Sequence, residues 1–255
     1  MTSLLPDLAP AAWALLAVAA LLVGVSKTAI PGINTLSIAV FAAVLPARAS
    51  TGALLILLIV GDLFALLSYR RHADWATLLR LVPAVVVGLA LGAVFLALAD
   101  DSWVRRVIGV ILLLIIAFTV WRRSAKRLRT AEEESVRAAA FARVGYGSLG
   151  GFTTMVANAG GPVMSMYFLA ARFPVKAFLG TAAWFFAVLN LAKLPISAGL
   201  GLVTPATLML DLLLVPGVIG GAVLGRWIAG RIKQQAFEWA VILCTTLGAV
   251  YLLVS

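Results

Sequence analysis

A chain that strings long apolar runs between tight clusters of charge can fold in few environments, and this one does so from end to end. Apolar segments lie near residues 8–25, 34–45, 50–69, 76–99 and 103–121, and again near 139–157, 162–171, 177–197, 206–229 and 235–254. Apolar residues fill 63% of the 255 positions and charged residues only 12%, more than a water-soluble domain of this size can bury. Lipid must cover the remainder, and the pattern is that of membrane helices. The expectation is an all-α, polytopic protein of a cell (inner) membrane.

The net charge of +10 does not point to nucleic acid, because the basic residues flank the apolar runs instead of forming a solvated face. With one histidine and one cysteine, no His/Cys/Asp cluster exists for a metal centre, and neither metal nor cofactor is expected. His72 reads as a solvated residue beside Arg70 and Arg71. Cys244 reads as helix packing, and Glu132, Glu133 and Glu134 as a solvated stretch. The run from Ala9 to Gly24 has no basic residues before it and no small-residue cleavage site ahead of Lys27, so it is expected to be a mature membrane segment.

Two of the segments, 34–45 and 162–171, are too short for an ordinary crossing, which takes roughly 20 residues. Each follows a break rich in Gly, Pro and Asn, at 26–34 and 157–162. Non-helical backbone at membrane depth is tolerated only where protein or a wet cavity covers it, and two such breaks in corresponding places point to a binding site. The chain also repeats. Pro46, Arg48, Ala49 and Gly52 match Pro174, Lys176, Ala177 and Gly180 at an offset of 128, which puts Asp62 on Asn190. Pro83, Gly88 and Gly92 match Pro216, Gly221 and Gly225 at an offset of 133. Three regions follow: a first membrane repeat at 1–121, a linker at 122–138 and a second membrane repeat at 139–255.

Placing the linker, with Arg122, Arg123, Lys126, Arg127 and Arg129, in the cytoplasm sets the orientation. If the first two segments of each half form a pair returning to its own side, fifteen of the twenty basic residues face inward. That favours two inverted repeats of about five apolar segments, with both termini extracytoplasmic. Whether the first pair is a re-entrant hairpin or two full crossings stays open.

At the breaks the residues are specific enough to compare. Gly24-Val25-Ser26-Lys27-Thr28 resembles the opening motif of the TauE/SafE sulfite exporter family. Gly150-Gly151-Phe152-Thr153-Thr154-Met155-Val156-Ala157-Asn158-Ala159-Gly160-Gly161-Pro162 resembles its second-half counterpart, and Met166 to Leu169, Gly180-Thr181 and Asn190 to Pro195 also fit. The resemblance covers essentially the whole chain and implies a secondary transporter of sulfite or organosulfonates, with other small anions handled by some members.

Lys27, in the first break, either attracts an anion or snorkels to the interface. Asn190 and Lys193 share a helical face and can present an amide and a cation to one ligand; alternatively Lys193 pairs with Asp62. Asp62 is either a proton-coupling group or a counter-ion for Lys27 or Lys193. Asp211 and Glu238, nearer their segment ends, are expected at the interface. The helices opening at Gly32-Ile33-Asn34 and Gly160-Gly161-Pro162 offer unpaired N–H groups, and Thr28, Asn34, Thr153, Thr154 and Asn158 add neutral donors. A pyramidal or tetrahedral oxyanion suits such an array. Gly88, Gly92, Gly221 and Gly225 are expected at close helix packing.

The expected activity is export of a small sulfur oxyanion by alternating access at the repeat interface, with proton or sodium coupling open. A passive anion channel or a carrier of another anion, such as a carboxylate or thiosulfate, is the alternative. A membrane-embedded enzyme would need a constellation that Lys27, Lys193 and Asp62 do not make, and no GxxxxGK[ST] loop is present for a pump.

Overall fold

The computed structural model describes residues 8–100 and 136–237, with scattered positions at 102–114 and 239–243. Over the described residues the elements are α1 (Pro10–Thr28), α2 (Asn34–Val44), α3 (Ala47–Tyr69), α4 (Trp75–Leu98), α5 (Val136–Ala157), α6 (Gly160–Ala170), α7 (Val175–Gly199) and α8 (Pro205–Ala229). These follow the apolar segments to within a few residues. Most of 103–121, of the linker and of 235–254, with Cys244, Glu132 to Glu134 and Glu238, lies outside the described residues. Helices α1, α3, α4, α7 and α8 are long and apolar enough to cross a bilayer. Their outward faces carry exposed Leu67, Val86, Leu91, Leu191 and Leu212, the kind of surface that lipid covers. The chain is an all-α, multi-pass membrane protein.

Two of the helix starts are capped by side chains. α4 opens on Asp74, whose carboxylate accepts from the Thr77 N–H at 2.8 Å, and α8 opens on a capping box between Thr204 and Thr207. The other helix starts for which a cap is described, those of α1, α3 and α7 and those of α2 and α6 at the two breaks, have no side-chain cap.

Directions follow from close contacts. Gly24 lies against Val218 and Ala222, Gly221 against Leu21, and Gly225 against Val25 and Thr28, so α1 and α8 run parallel. Gly88 lies against Ser148 and Phe152, Gly92 against Phe152 and Met155, and Gly151 against Val85 and Leu89, so α4 and α5 run parallel too. A Cβ at any of these glycines would overlap the facing helix, and the small residues are what let the backbones meet. α3 runs with α8, because Gly52 faces Leu202 just before α8 and Gly61 faces Val218. α7 runs against α3, with Gly180 beside Tyr69 and His72 and Asn190 beside Asp62. Thus α1, α3 and α8 point one way, and α4, α5 and α7 the other. α2 and α6 are each eleven residues, about 16 Å of helix or half the hydrocarbon thickness. Each returns the chain between two parallel long helices.

One end of the bundle is basic. Trp184 Nε1 donates to the Arg70 carbonyl and Gln234 Nε2 to the Phe173 carbonyl, which gathers Arg70, Arg71, Arg172, Lys176, Arg231 and Lys233 there. His72 is exposed in the same turn. At the other end Arg48 donates to the Leu96 and Ala99 carbonyls at the close of α4.

Candidate functional site

The two breaks lie 124 residues apart in sequence and meet in space: Asn34 Nδ2 donates to the Asn158 carbonyl at 3.2 Å. Asn158 in turn donates from Nδ2 to the Thr51 carbonyl at 2.9 Å, tying the second break to α3. It sits at φ 54°, the left-handed region that asparagine tolerates better than most side-chain-bearing residues, and this reversal lets α6 begin two residues later. The first break turns more gradually through Pro31–Ile33, with the Ser26 hydroxyl donating to the Pro31 carbonyl.

Around this junction is a cavity of about 20 Å³, room for roughly one ordered water. Of the sequence candidates, Lys27, Asn34, Asp62, Thr154, Asn158, Gly161 and Asn190 line it, and Ser26, Pro31, Leu58, Ala182, Ala183 and Phe186 complete the wall. Lys27 Nζ lies 2.6 Å from Asp62 Oδ1 and 4.8 Å from the centre of the Phe186 ring. Asn190 Nδ2 donates to the other carboxylate oxygen at 2.7 Å. Asp62 and Asn190, which the sequence comparison aligns at an offset of 128, therefore touch each other. The counter-ion of Asp62 is Lys27 and not Lys193.

Lys193 stands one layer behind the wall, fully buried. It donates to the Thr154 carbonyl and to Asn158 Oδ1, so its cation rests on two neutral oxygens. A charge at mid-bilayer costs about 2.5–3.5 kcal/mol even on the lenient insertion scale. Lys27 is paired with Asp62, whereas Lys193 has no carboxylate partner among the described residues. Two polar atoms on the cavity wall have no partner: Thr154 Oγ1 and Asn34 Oδ1. With the uncapped start of α6 at Gly161, the junction presents a hydroxyl, an ammonium and helix N–H groups to one small space, whereas the Asn34 N–H that opens α2 is taken by the Pro31 and Gly32 carbonyls.

Three candidates lie elsewhere. Thr28 turns to the α1–α8 seam, its hydroxyl 3.0 Å from both the Gly24 and the Ala222 carbonyls. Thr153 bonds weakly within its own helix, at 3.4 Å to the Gly150 carbonyl. Gly160 does not line the cavity, but a Cβ there would collide with Thr154 Oγ1, so it sets that hydroxyl's position. Ser26 and Phe186 are wall residues that the sequence does not single out. Ser26 could be found as the neighbour of Lys27 in the break, whereas one phenylalanine among twelve carries no signal. Asp211, expected at the interface, is buried against the other helices seven residues from the start of α8.

No curated protein and no solved structure matches the chain. The family model for the sulfite exporter TauE/SafE matches residues 16–252, which takes in both breaks and every residue of the cavity wall. The chain belongs to the TauE/SafE sulfite exporter family of membrane transporters.

Proposed function

We propose that this protein exports a small sulfur oxyanion, sulfite or an organosulfonate, by alternating access at the cavity where the two breaks meet. The observation that carries the reading is the meeting of the two breaks, with the uncapped start of α6, on a cavity lined by Lys27 and the free Thr154 hydroxyl. Each oxygen of a pyramidal oxyanion accepts several hydrogen bonds, and helix N-termini are ready-made anion sites. Lys193 supplies the positive charge that the anion offsets, acting through Asn158 and Thr154. An arriving anion competes with Asp62 for Lys27, so loading loosens the ion pair that joins α1 to α3.

At about 20 Å³ the cavity is too small for the anion, which accords with a closed state of a carrier better than with an open pore. The basic end of the bundle faces the cytoplasm by the positive-inside rule, which puts the opposite end and both termini outside. An inside-negative potential then favours anion exit by roughly 2.3 kcal/mol per charge per 100 mV.

The test is labelled sulfite flux in proteoliposomes with an imposed potential, for wild type, Lys27→Ala and Lys193→Ala. Saturable wild-type flux, lost in both variants, is the expected result. Full flux in both variants would leave the start of α6 as the only anion site. Absence of sulfite flux with flux of an organosulfonate or carboxylate would keep the mechanism and change the substrate.

A further inference from the structure

Asp211 sits seven residues into α8 and is 1% exposed. Neither carboxylate oxygen has a hydrogen-bond partner. Its neighbours in sequence, Leu212 and Leu213, are exposed to the lipid side, while Leu210 and Leu214 are buried with it. The carboxyl therefore belongs to the face that packs on α1 and α3, the only elements in extensive contact with α8 among the described residues. On α1 the sole titratable side chain is Lys27, taken by Asp62. On α3 they are Arg48, on the Leu96 and Ala99 carbonyls, Asp62 itself, and Tyr69, whose hydroxyl donates to the Thr28 carbonyl. None of these forms an ion pair with Asp211, and Arg226, on α8 itself, lies about four turns away near its other end.

Packing does not require an acid here. At the repeat offset of 133 the matching residue is Leu78, also buried, on α4. An unpartnered carboxylate in such a place carries a desolvation penalty of several kcal/mol, which a bound proton removes. Ionisable groups inside membrane helices mark ion and proton pathways. Pro216 lies between Asp211 and the glycine seam at Gly217–Gly225, and it removes the rung that would bond to the Leu212 carbonyl. The half of α8 that carries Asp211 is thus separated from the half locked onto α1.

We propose that Asp211 is a proton-binding site, distinct from the anion cavity, that carries a proton in the arrangement seen here. It releases that proton to water when the first half of α8 bends at Pro216. The O–H bond of the acid breaks, the proton passes to a water molecule, and the carboxylate left behind is solvated. A proton needs only the one carboxyl, whereas a sodium ion requires several further oxygen ligands around it. Coupling of this proton to anion movement rests on the transport reading above; the proton site itself does not.

Two measurements separate the two ideas. Infrared difference spectra of the purified protein at neutral pH are expected to show a protonated-carboxyl band in wild type that is missing from both Asp211→Asn and Asp211→Leu. Asp211→Leu carries the residue of the other half, and so guards against misfolding of the first variant. Identical spectra for all three proteins would overturn the site. With the Asp211 proton moving in the same direction as the anion, wild-type proteoliposomes with a trapped pH dye are expected to acidify the lumen more per sulfite taken up than Asp211→Asn does; bisulfite carries the same protons in both. Equal acidification would overturn the coupling. Absence of sulfite exchange in wild type would sink the transport reading, while the infrared band would still decide the proton site.

Discussion

The two lysines inside the bundle, Lys193 buried and Lys27 nearly so, are held in opposite ways. Lys27 meets a carboxylate at 2.6 Å and sits on the cavity wall, whereas Lys193 lies behind the wall and meets only a backbone carbonyl and an amide oxygen. Two lysines of one bundle thus have different settings. The first is paired with a carboxylate; the second holds the second break through Asn158, with no carboxylate beside it among the described residues. On the transport reading proposed above, the lysine that shapes an anion site need not touch the anion.

Breaking the Lys27–Asp62 pair should give the largest effect. Asp62→Ala strands a buried ammonium and removes the acceptor of Asn190, with an expected loss of about 3–5 kcal/mol in stability. The double variant Lys27→Met/Asp62→Ala should recover most of the melting temperature in detergent but none of the sulfite flux. Recovery of flux as well would mean that Lys27 is only structural. Next comes Lys193→Met, which keeps the apolar stem but leaves the Thr154 carbonyl and Asn158 Oδ1 without a donor, about 2 kcal/mol in all. Its flux should vanish although no wall residue has changed; unimpaired flux would dissolve the contrast between the two lysines.

Smaller effects sharpen it. Gly160→Ala pushes on the Thr154 side chain and should raise the KM for sulfite about tenfold, or roughly 1.4 kcal/mol, with an overpacking cost to stability of about 1–3 kcal/mol. An unchanged KM would remove Thr154 from the anion's contacts. Asp74→Ala deletes the cap of α4 at the basic end and should cost about 1 kcal/mol with flux intact. Lost flux in that variant would mean that stability alone sets activity, and the larger effects above could not be assigned to the site.

Much of this site is legible in the amino-acid sequence. Polar and breaking residues are expensive inside apolar runs, so Lys27, Asn34, Asp62, Asn158 and Asn190 stand out, and all five line one cavity. What the sequence does not display is azimuth. Adjacent helical residues point about 100° apart, which is why Lys27 faces the cavity while Thr28 bonds across the α1–α8 seam. The same blindness hides Asp211. Its distance from the end of α8 suggests an interfacial residue, but the face it occupies turns inward. Phe186 and the small residues Ala182 and Ala183 form wall only because α7 crosses α3 where it does. The choice between hairpin and crossing is equally invisible in sequence, since it depends on which long helices run parallel.

The glycine seams bear on how such a chain is made. α1 finds its closest neighbour in α8 and α4 finds its own in α5, so each half lends a helix to the other. Synthesis at about 5–20 residues per second leaves α1 in the membrane for some 10–40 s before α8 emerges. Through that interval Gly24 faces lipid with its groove unfilled. The charges do not have to wait. Lys27 finds Asp62, and Lys193 finds Thr154 and Asn158, each inside its own half. Nascent halves can therefore neutralise or solvate their lysines on insertion, and the zipping of uncharged seams can come last.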